Sequence, residues 1–275
     1  TLSQSLAYQY YNLNNYYTGL FPFGDGSSNN LSYTVALSRN NTFTNPIFPL
    51  GGSEFVLSAR FSLPYSLWNG VDYANLGDLE KFQDDDGNPD PAKIEQEKFK
   101  WLEFYKIKFK GSWYTRLFDK LVLRTHTEFG FLGAFNNDRG VIPFDRFFLG
   151  GDGMSQYAMD GRETISLRGY PNQSLSSQDG STIYNRFSLE LRYPITLKPA
   201  ASIFGLTFME TGQGYNNFRE FNPFNGKRSV GLGLRIFMPA FGLLGIDFGY
   251  GLDSVNEFNL EPNGWETHFV IGQQF

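Results

Sequence analysis

The chain alternates apolar and polar side chains, residue by residue, over ten separate segments. A period of two places successive side chains on opposite faces of a β-strand and does not fit the face of a helix. The segment 53–65 shows the pattern most clearly, with Phe55, Leu57 and Phe61 on one face and Arg60 on the other. The predicted strands are 1–12, 31–43, 53–65, 98–113, 120–135, 186–195, 201–215, 229–238, 243–252 and 265–275.

The connections between these strands alternate between long and short. The long ones are 13–30, 66–97, 136–185, 216–228 and 253–264. The short ones are 44–52, 114–119, 196–200 and 239–242. Strands with one apolar face, short turns on one rim and long loops on the other are typical of a transmembrane antiparallel up-and-down β-barrel of the bacterial outer membrane. We predict this all-β fold over 1–275, with the long loops outside the cell and lipid around the barrel.

The composition fits this prediction and excludes other classes of protein. Aromatic residues make up 18% of the chain and charged residues only 19%, a large aromatic content for a protein surrounded by water. No apolar run approaches the roughly 18 residues of a transmembrane helix. The absence of cysteine excludes disulfides and thiolate metal sites. A net charge of -5 with dispersed Lys and Arg argues against a nucleic-acid partner, and we predict no cofactor.

The longest connection, 136–185, contains a Leu-Arg-Gly-Tyr sequence whose arginine is Arg168. Two carboxylates on the following strands, Glu190 and Glu210, are predicted to face the lumen, the second less clearly because its strand alternates less regularly. Bidentate pairing with a guanidinium is strong where water is scarce. We therefore predict that Arg168 is the tip of a loop folded into the barrel, and that Arg168→Ala impairs the barrel more than the same change at Arg139.

An acidic stretch in the second long loop is a weak candidate for a calcium site. Its oxygen ligands would come from Asp84, Asp86, Asn88 and Asp90. The spacing does not match an EF-hand, because the glycine, Gly87, falls at the fourth position from Asp84 instead of the sixth. A solvated acidic loop without metal is the expected structure.

An outer-membrane enzyme is the rival class, since some barrels carry a histidine with an acidic or hydroxyl partner at the rim. The chain has two histidines, His126 and His268. The sequence brings no partner to either of them, and we predict that the protein is not an enzyme.

Three stretches resemble the BamA family of outer-membrane assembly factors: Phe-Phe-Leu-Gly-Gly at 147–151, Leu-Arg-Gly-Tyr at 167–170 and the final residues 269–275. The family loop carries Val or Ile before Arg-Gly-Phe/Tyr, so Leu167 is a mild departure. The resemblance implies a lumen plug formed by Arg168, Gly169 and Tyr170, with Glu190 and Glu210 as its acidic partners. It also implies a seam and C-terminal signal formed by Phe269, Ile271, Gly272 and Phe275.

Family barrels have sixteen strands preceded by periplasmic POTRA domains, whereas ten strands and no POTRA domain are predicted here. The expectation is that the chain is the C-terminal part of such a barrel. The resemblance implies an insertase that folds outer-membrane proteins through a lateral seam by β-augmentation. Its partners would be unfolded client proteins, the bilayer, and accessory lipoproteins or surface subunits. A polypeptide-translocating pore of the same superfamily remains the alternative.

Overall fold

The computed structural model describes residues 1–15, 24–43, 45–154, 161–255 and 261–272. They form one antiparallel sheet of ten strands, in which each strand pairs with its neighbours in the chain, as predicted. The strands are β1 (Leu2–Leu13), β2 (Gly26–Asn40), β3 (Gly51–Ser62), β4 (Tyr105–Phe118), β5 (Leu121–Gly133), β8 (Ile183–Lys198), β9 (Ala201–Tyr215), β10 (Lys227–Met238), β11 (Gly242–Gly251) and β12 (Gly264–Gly272). Two short strands in the longest loop, β6 (Phe147–Leu149) and β7 (Glu163–Ile165), pair in parallel.

The two faces of the large sheet differ as the alternation predicts. On β8, Leu189 and Leu191 are exposed while Glu190 between them is only 4% exposed. The buried polar side chains of the inner face include Ser112, His126, Glu128, Arg186, Ser188, Glu190, Glu210, Ser229, Arg235, Asp247 and His268. An apolar outer face and a polar inner face are the arrangement of a barrel in lipid.

The second long loop contains a helix that the sequence analysis did not predict. Helix α1 (Pro91–Phe99) occupies the start of the predicted strand 98–113, and β4 begins only at Tyr105. Asp90 caps the helix by accepting the backbone N–H groups of Ala92 and Lys93 at 2.9 and 3.3 Å. The predicted start of the strand was wrong because the alternation at Phe99 and Trp101 was followed, whereas Asp90 and Pro91 are the residue types that begin a helix.

Two of the short connections are shorter than predicted, because the strands extend into them. β4 runs to Phe118 and β8 to Lys198, so the turns are 119–120 and 199–200. Pro194 lies near the end of the predicted strand 186–195. It lies in β8 next to a shift of register, a position where a residue without an N–H is tolerated.

The long loops form a structured rim. Three 3₁₀ turns precede α1, at Tyr65–Leu67, Leu76–Asp78 and Glu80–Phe82. The two longest loops are tied together by Arg139, which is 3% exposed and pairs with Glu103 at 2.7 Å. Because Arg139 is itself buried and paired, Arg139→Ala is not a suitable control for Arg168→Ala. In the described ranges no helix is long and apolar enough to cross a membrane.

The largest apolar cluster lies where the loop 136–185 enters the barrel. It includes Phe104 from the second long loop, Phe144, Phe147 and Leu149 from the longest loop, and Tyr184 from β8. Packing against the inside of the wall fixes the loop over the lumen. Across the described residues the sheet is open, since β1 pairs only with β2 and β12 only with β11.

Candidate functional site

A local ladder inside the longest loop positions Arg168. β6 and β7 pair in parallel, with Phe147 opposite Glu163. Gly151 and Leu167 then exchange two backbone hydrogen bonds of 3.1 Å. Leu167 is fully buried, so the residue that follows it is held at the end of a hydrogen-bonded segment. The two family-like stretches are thus parts of one structural unit that directs Arg168 into the lumen.

Arg168 contacts both of the carboxylates predicted for it, and a third. Its Nη2 lies 2.8 Å from Glu190 Oε1 and 2.5 Å from Glu210 Oε1, and its Nη1 lies 3.3 Å from Asp247 Oδ2. Its backbone N–H donates to Glu210 Oε2 at 3.0 Å. The guanidinium carbon also lies 3.7 Å from the centre of the Phe208 ring, a cation–π distance. Arg168 is 5% exposed, and its charge is compensated by protein instead of water.

Gly169 allows the loop to touch the wall. Its φ is +87°, a left-handed conformation that favours glycine. A Cβ at this position would lie 2.9 Å from the Gly251 nitrogen and from Ser229 Cβ. Its N–H donates to His268 Nε2 at 2.8 Å. The loop tip is therefore bonded directly to β12, the last strand of the sheet.

Tyr170 completes the contact at the rim of the lumen. Its hydroxyl donates to the Arg228 carbonyl at 2.6 Å and accepts the Asp253 N–H at 3.3 Å. Burial raises the pKa of Tyr170 to about 12, so the phenol remains a donor at physiological pH. The hydrogen bond from the Arg228 side chain lowers the pKa of Asp253. Arg168, Gly169 and Tyr170 together touch every strand from β8 to β12.

The carboxylates that bind Arg168 also bind other cations. Arg186 Nη2 lies 2.6 Å from Glu210 Oε1, and Arg192 Nη2 lies 2.5 Å from Glu190 Oε2. Arg235 pairs with Asp247 through two contacts of 2.7 Å. The network extends through Arg186 to Glu128, and from there to His126 and Lys110. A removed charge would therefore unbalance several neighbours.

Sequence analysis did not identify all of these residues. Asp247 alternates with Gly245 and Gly249, a pattern that puts it on the inner face of β11, but nothing in the sequence marks it as a partner of Arg168. His268 was considered only as a possible catalytic group. The contacts of both residues join parts of the chain 79 and 99 residues apart. Alternation could show that they face inward, but no local signal shows which residue they meet.

The seam residues lie on β12 as far as the structure describes them. Phe269 and Ile271 are 54% and 68% exposed on the outer face. Gly272 remains in the ladder, opposite Leu243 on β11. Phe275 lies outside the described residues.

The acidic loop uses two of its carboxylates for local structure. Asp84 Oδ1 accepts the N–H groups of Asp86 and Asn88, and Asp90 caps α1. The N–H of Asn88 lowers the pKa of Asp84. Among the described residues, no group of three His, Cys, Asp or Glu side chains could hold a metal ion. These contacts give no support to the calcium candidate.

The fold and the lumen site together define an outer-membrane β-barrel that holds one of its own loops inside. The Omp85 superfamily domain matches residues 1–275, and the chain belongs to this superfamily. The outer-membrane location predicted from sequence is confirmed by this membership. Members of the superfamily are generally transport and assembly proteins without enzymatic activity.

The match to one solved structure, a BamA barrel, agrees with the family assignment at the level of the fold. BamA from Haemophilus ducreyi lacking POTRA domains 1–3 matches with a TM-score of 0.61 at 18% identity, over 98% of this chain and 50% of that chain. CdiB from Escherichia coli matches with a TM-score of 0.49 at 14% identity, over 89% and 36% of the two chains. The chain thus spans about half the length of the BamA structure. A search of curated protein sequences found no match.

Proposed function

We propose that the protein folds and inserts β-barrel proteins into the outer membrane, with β12 as the template edge. The superfamily membership carries this proposal, and β12, the last strand of the sheet, is the strand that we assign as the template. One edge of β12 pairs with β11, with Gly264 opposite Gly251 at one end and Gly272 opposite Leu243 at the other. Within the described residues no strand pairs with its other edge. Unpaired N–H and C=O groups are costly in lipid. In the proposed mechanism the barrel opens beside β12, and the freed edge binds an extended segment of the client by β-augmentation.

The lumen plug supports the same proposal, because it holds β12 from inside. The Gly169 N–H bonds to His268 on β12, while Arg168 is fixed by carboxylates on β8, β9 and β11. The plug therefore holds β12, the strand that carries the proposed template edge, in a fixed position. A polypeptide-translocating pore is the alternative function, but the plug occupies the part of the lumen beside these strands, which favours a route through the seam.

No covalent chemistry is part of the proposal. A hydrogen-bonded row does exist on the inner face, where the Ser112 hydroxyl lies 2.9 Å from His126 Nδ1 and His126 Nε2 lies 2.7 Å from Glu128. Arg124 donates to the same hydroxyl at 3.1 Å, and Ser112 is 2% exposed. A nucleophile requires access to its substrate, so we interpret the row as part of the lumen network. The partners we propose are unfolded clients, the bilayer and accessory lipoproteins, without a nucleotide or cofactor.

Site-specific photo-crosslinking in the full-length protein tests the template edge. A photoreactive amino acid would replace Phe269 on β12 or, as a matched control, Leu232 on β10, which is 61% exposed on the outer face of a strand paired on both sides. During assembly of a radiolabelled unfolded barrel protein, we expect client adducts at Phe269 and none at Leu232. Equal amounts of adduct at both positions would show that the client collides with the whole lipid-facing wall, and would contradict specific binding to the edge of β12.

A further inference from the structure

The connection between β9 and β10, residues 216–226, folds outward over the barrel wall; we call it the outer flap. The Phe221 ring packs against Phe131 of β5 and Tyr215 of β9, with centroids 5.7 and 5.4 Å apart. The Phe218 ring also meets Phe131, at 6.2 Å. Phe131 and Tyr215 belong to the outward sets of their strands. The outer flap therefore lies on the membrane side of the wall and not in the lumen.

Polar contacts fix the outer flap to the wall. Ile183 and Asn185 face outward on β8, yet they are only 5% and 0% exposed. Asn185 Nδ2 donates to the Pro223 carbonyl at 3.2 Å, and the Tyr215 hydroxyl donates to the Asn222 carbonyl at 2.5 Å. An outward amide would be costly against lipid without such a partner. The outer flap thus covers Asn185 and is held in place by these two hydrogen bonds.

Along the barrel axis, the outer flap meets the wall where the outward-facing residues change from charged to apolar. A Cβ on Gly226 would lie 2.5 Å from Thr211 Oγ1, so the end of the flap touches the wall at Thr211. Thr211 pairs with Arg228, an exposed arginine that forms an ion pair with Asp253 at 2.8 Å. Met209, the next outward residue of β9, is apolar and 58% exposed. This change from charge to hydrocarbon marks the level of the lipid headgroups.

Two rings of the outer flap have little protein around them. Phe224, which follows the wall-bonded Pro223, is 93% exposed, and Phe218 is 70% exposed. Trp265 is 69% exposed, packs on Tyr250, and lies in the same row of the sheet as Met209. Aromatic side chains concentrate at this level of membrane barrels. Exposed phenylalanine rings are unfavourable in water, whereas lipid at the interface accommodates them.

We propose that the outer flap is a lipid-binding surface that inserts Phe218 and Phe224 into the interfacial region of the outer leaflet. The occupant is lipid because the flap lies on the outer side of the wall just above the exposed Met209, at the level where membrane barrels carry aromatic side chains. This inference goes beyond the proposed function, since it requires only a barrel in a membrane. It would fix the height of the barrel beside β8 to β10, where the wall carries a polar side chain at Asn185.

Spin labels can locate the two rings, because the chain contains no cysteine. Single cysteines would replace Phe224 or Phe218 in the full-length protein, folded in phosphatidylcholine vesicles and checked for heat-modifiable migration. Labels at Leu232→Cys, on the lipid-facing wall, and at Asp85→Cys, in an exposed loop, are the matched references. Collisions with oxygen and with a water-soluble nickel chelate would then be measured.

We expect the ratio of oxygen to nickel collisions at Phe224 and Phe218 to be several-fold higher than at Asp85 and close to that at Leu232. A ratio equal to that at Asp85 would place the rings in water and overturn the inference. Protection from both reagents would also overturn it, because the rings would then be covered by protein. Using two label positions keeps the test valid if one variant does not fold.

Discussion

Arg168 joins three buried carboxylates of the barrel wall. Its guanidinium binds carboxylates from β8, β9 and β11, and each of these also binds another arginine. Arg168 and its three carboxylate partners are each more than nine-tenths buried. Removing one partner of a buried pair is strongly destabilising, because it leaves an uncompensated charge in a medium of low dielectric.

We expect Arg168→Ala to lower the free energy of unfolding by about 3–5 kcal/mol, the usual cost of breaking a buried ion pair. Urea unfolding of the full-length protein in vesicles would measure this loss. Arg116→Ala is the matched control, since Arg116 is exposed near a short turn, and surface changes of this kind usually stay within about 0.5 kcal/mol. Similar losses in the two variants would contradict the role of Arg168.

A double variant distinguishes pairing from packing at the same site. Because Glu210 also binds Arg186, Glu210→Gln is expected to destabilise on its own. If the two residues stabilise each other, the loss in Arg168→Ala/Glu210→Gln is smaller than the sum of the single losses. Strictly additive losses would show that Phe208, and not the carboxylate, holds the loop.

At the scale of single elements, β12 is bound to the plug through one side chain. His268 Nε2 accepts the Gly169 N–H, and both residues are buried. A buried N–H that loses its acceptor costs about 1–3 kcal/mol. The hydrogen bond therefore couples the position of the plug to the strand that we propose as the template edge.

We expect His268→Ala to release the loop tip locally while the barrel remains folded. Hydrogen exchange of the segment 166–170 would become faster, because the Gly169 amide loses its acceptor. His268→Gln can supply a side-chain oxygen and is expected to restore part of the protection. Thr267→Ala, at an exposed outward position of the same strand, is the control and should change nothing. Unchanged exchange in His268→Ala would show that β12 and the plug are not coupled.

At the scale of the whole molecule, the difference between the two rims predicts the orientation in the membrane. One rim carries helix α1, the 3₁₀ turns and the outer flap, while the other has two-residue turns such as 119–120. Bacterial barrels place their short turns in the periplasm. The structured rim is therefore predicted to face the cell exterior.

Cysteine labelling on intact cells would test this orientation. We expect Asp85→Cys and Asn225→Cys to react with a membrane-impermeant thiol reagent, and Lys120→Cys to react only after the outer membrane is permeabilised. All three positions are exposed. The reverse labelling pattern would invert the assignment.

The sequence alone determined the strands, their order and their facing, because a period of two follows directly from backbone geometry. Glu190 could be placed inside from Leu189 and Leu191 alone, and the family-like stretches predicted the plug. Errors arose where local signals compete. The apparent alternation of Phe99 and Trp101 was interpreted as the start of a strand, although Asp90 and Pro91 begin the helix α1.

Only the tertiary structure decided which inner-face residues meet. Arg168 reaches Asp247 and Gly169 reaches His268 because the loop descends along β8 to β12 to a particular depth, and the registers of five strands bring those side chains to that level. The outer flap was likewise read as an ordinary long loop, 216–228, since its aromatic residues carry no periodicity. Contacts between distant segments depend on packing and register, and these are properties of the folded barrel as a whole.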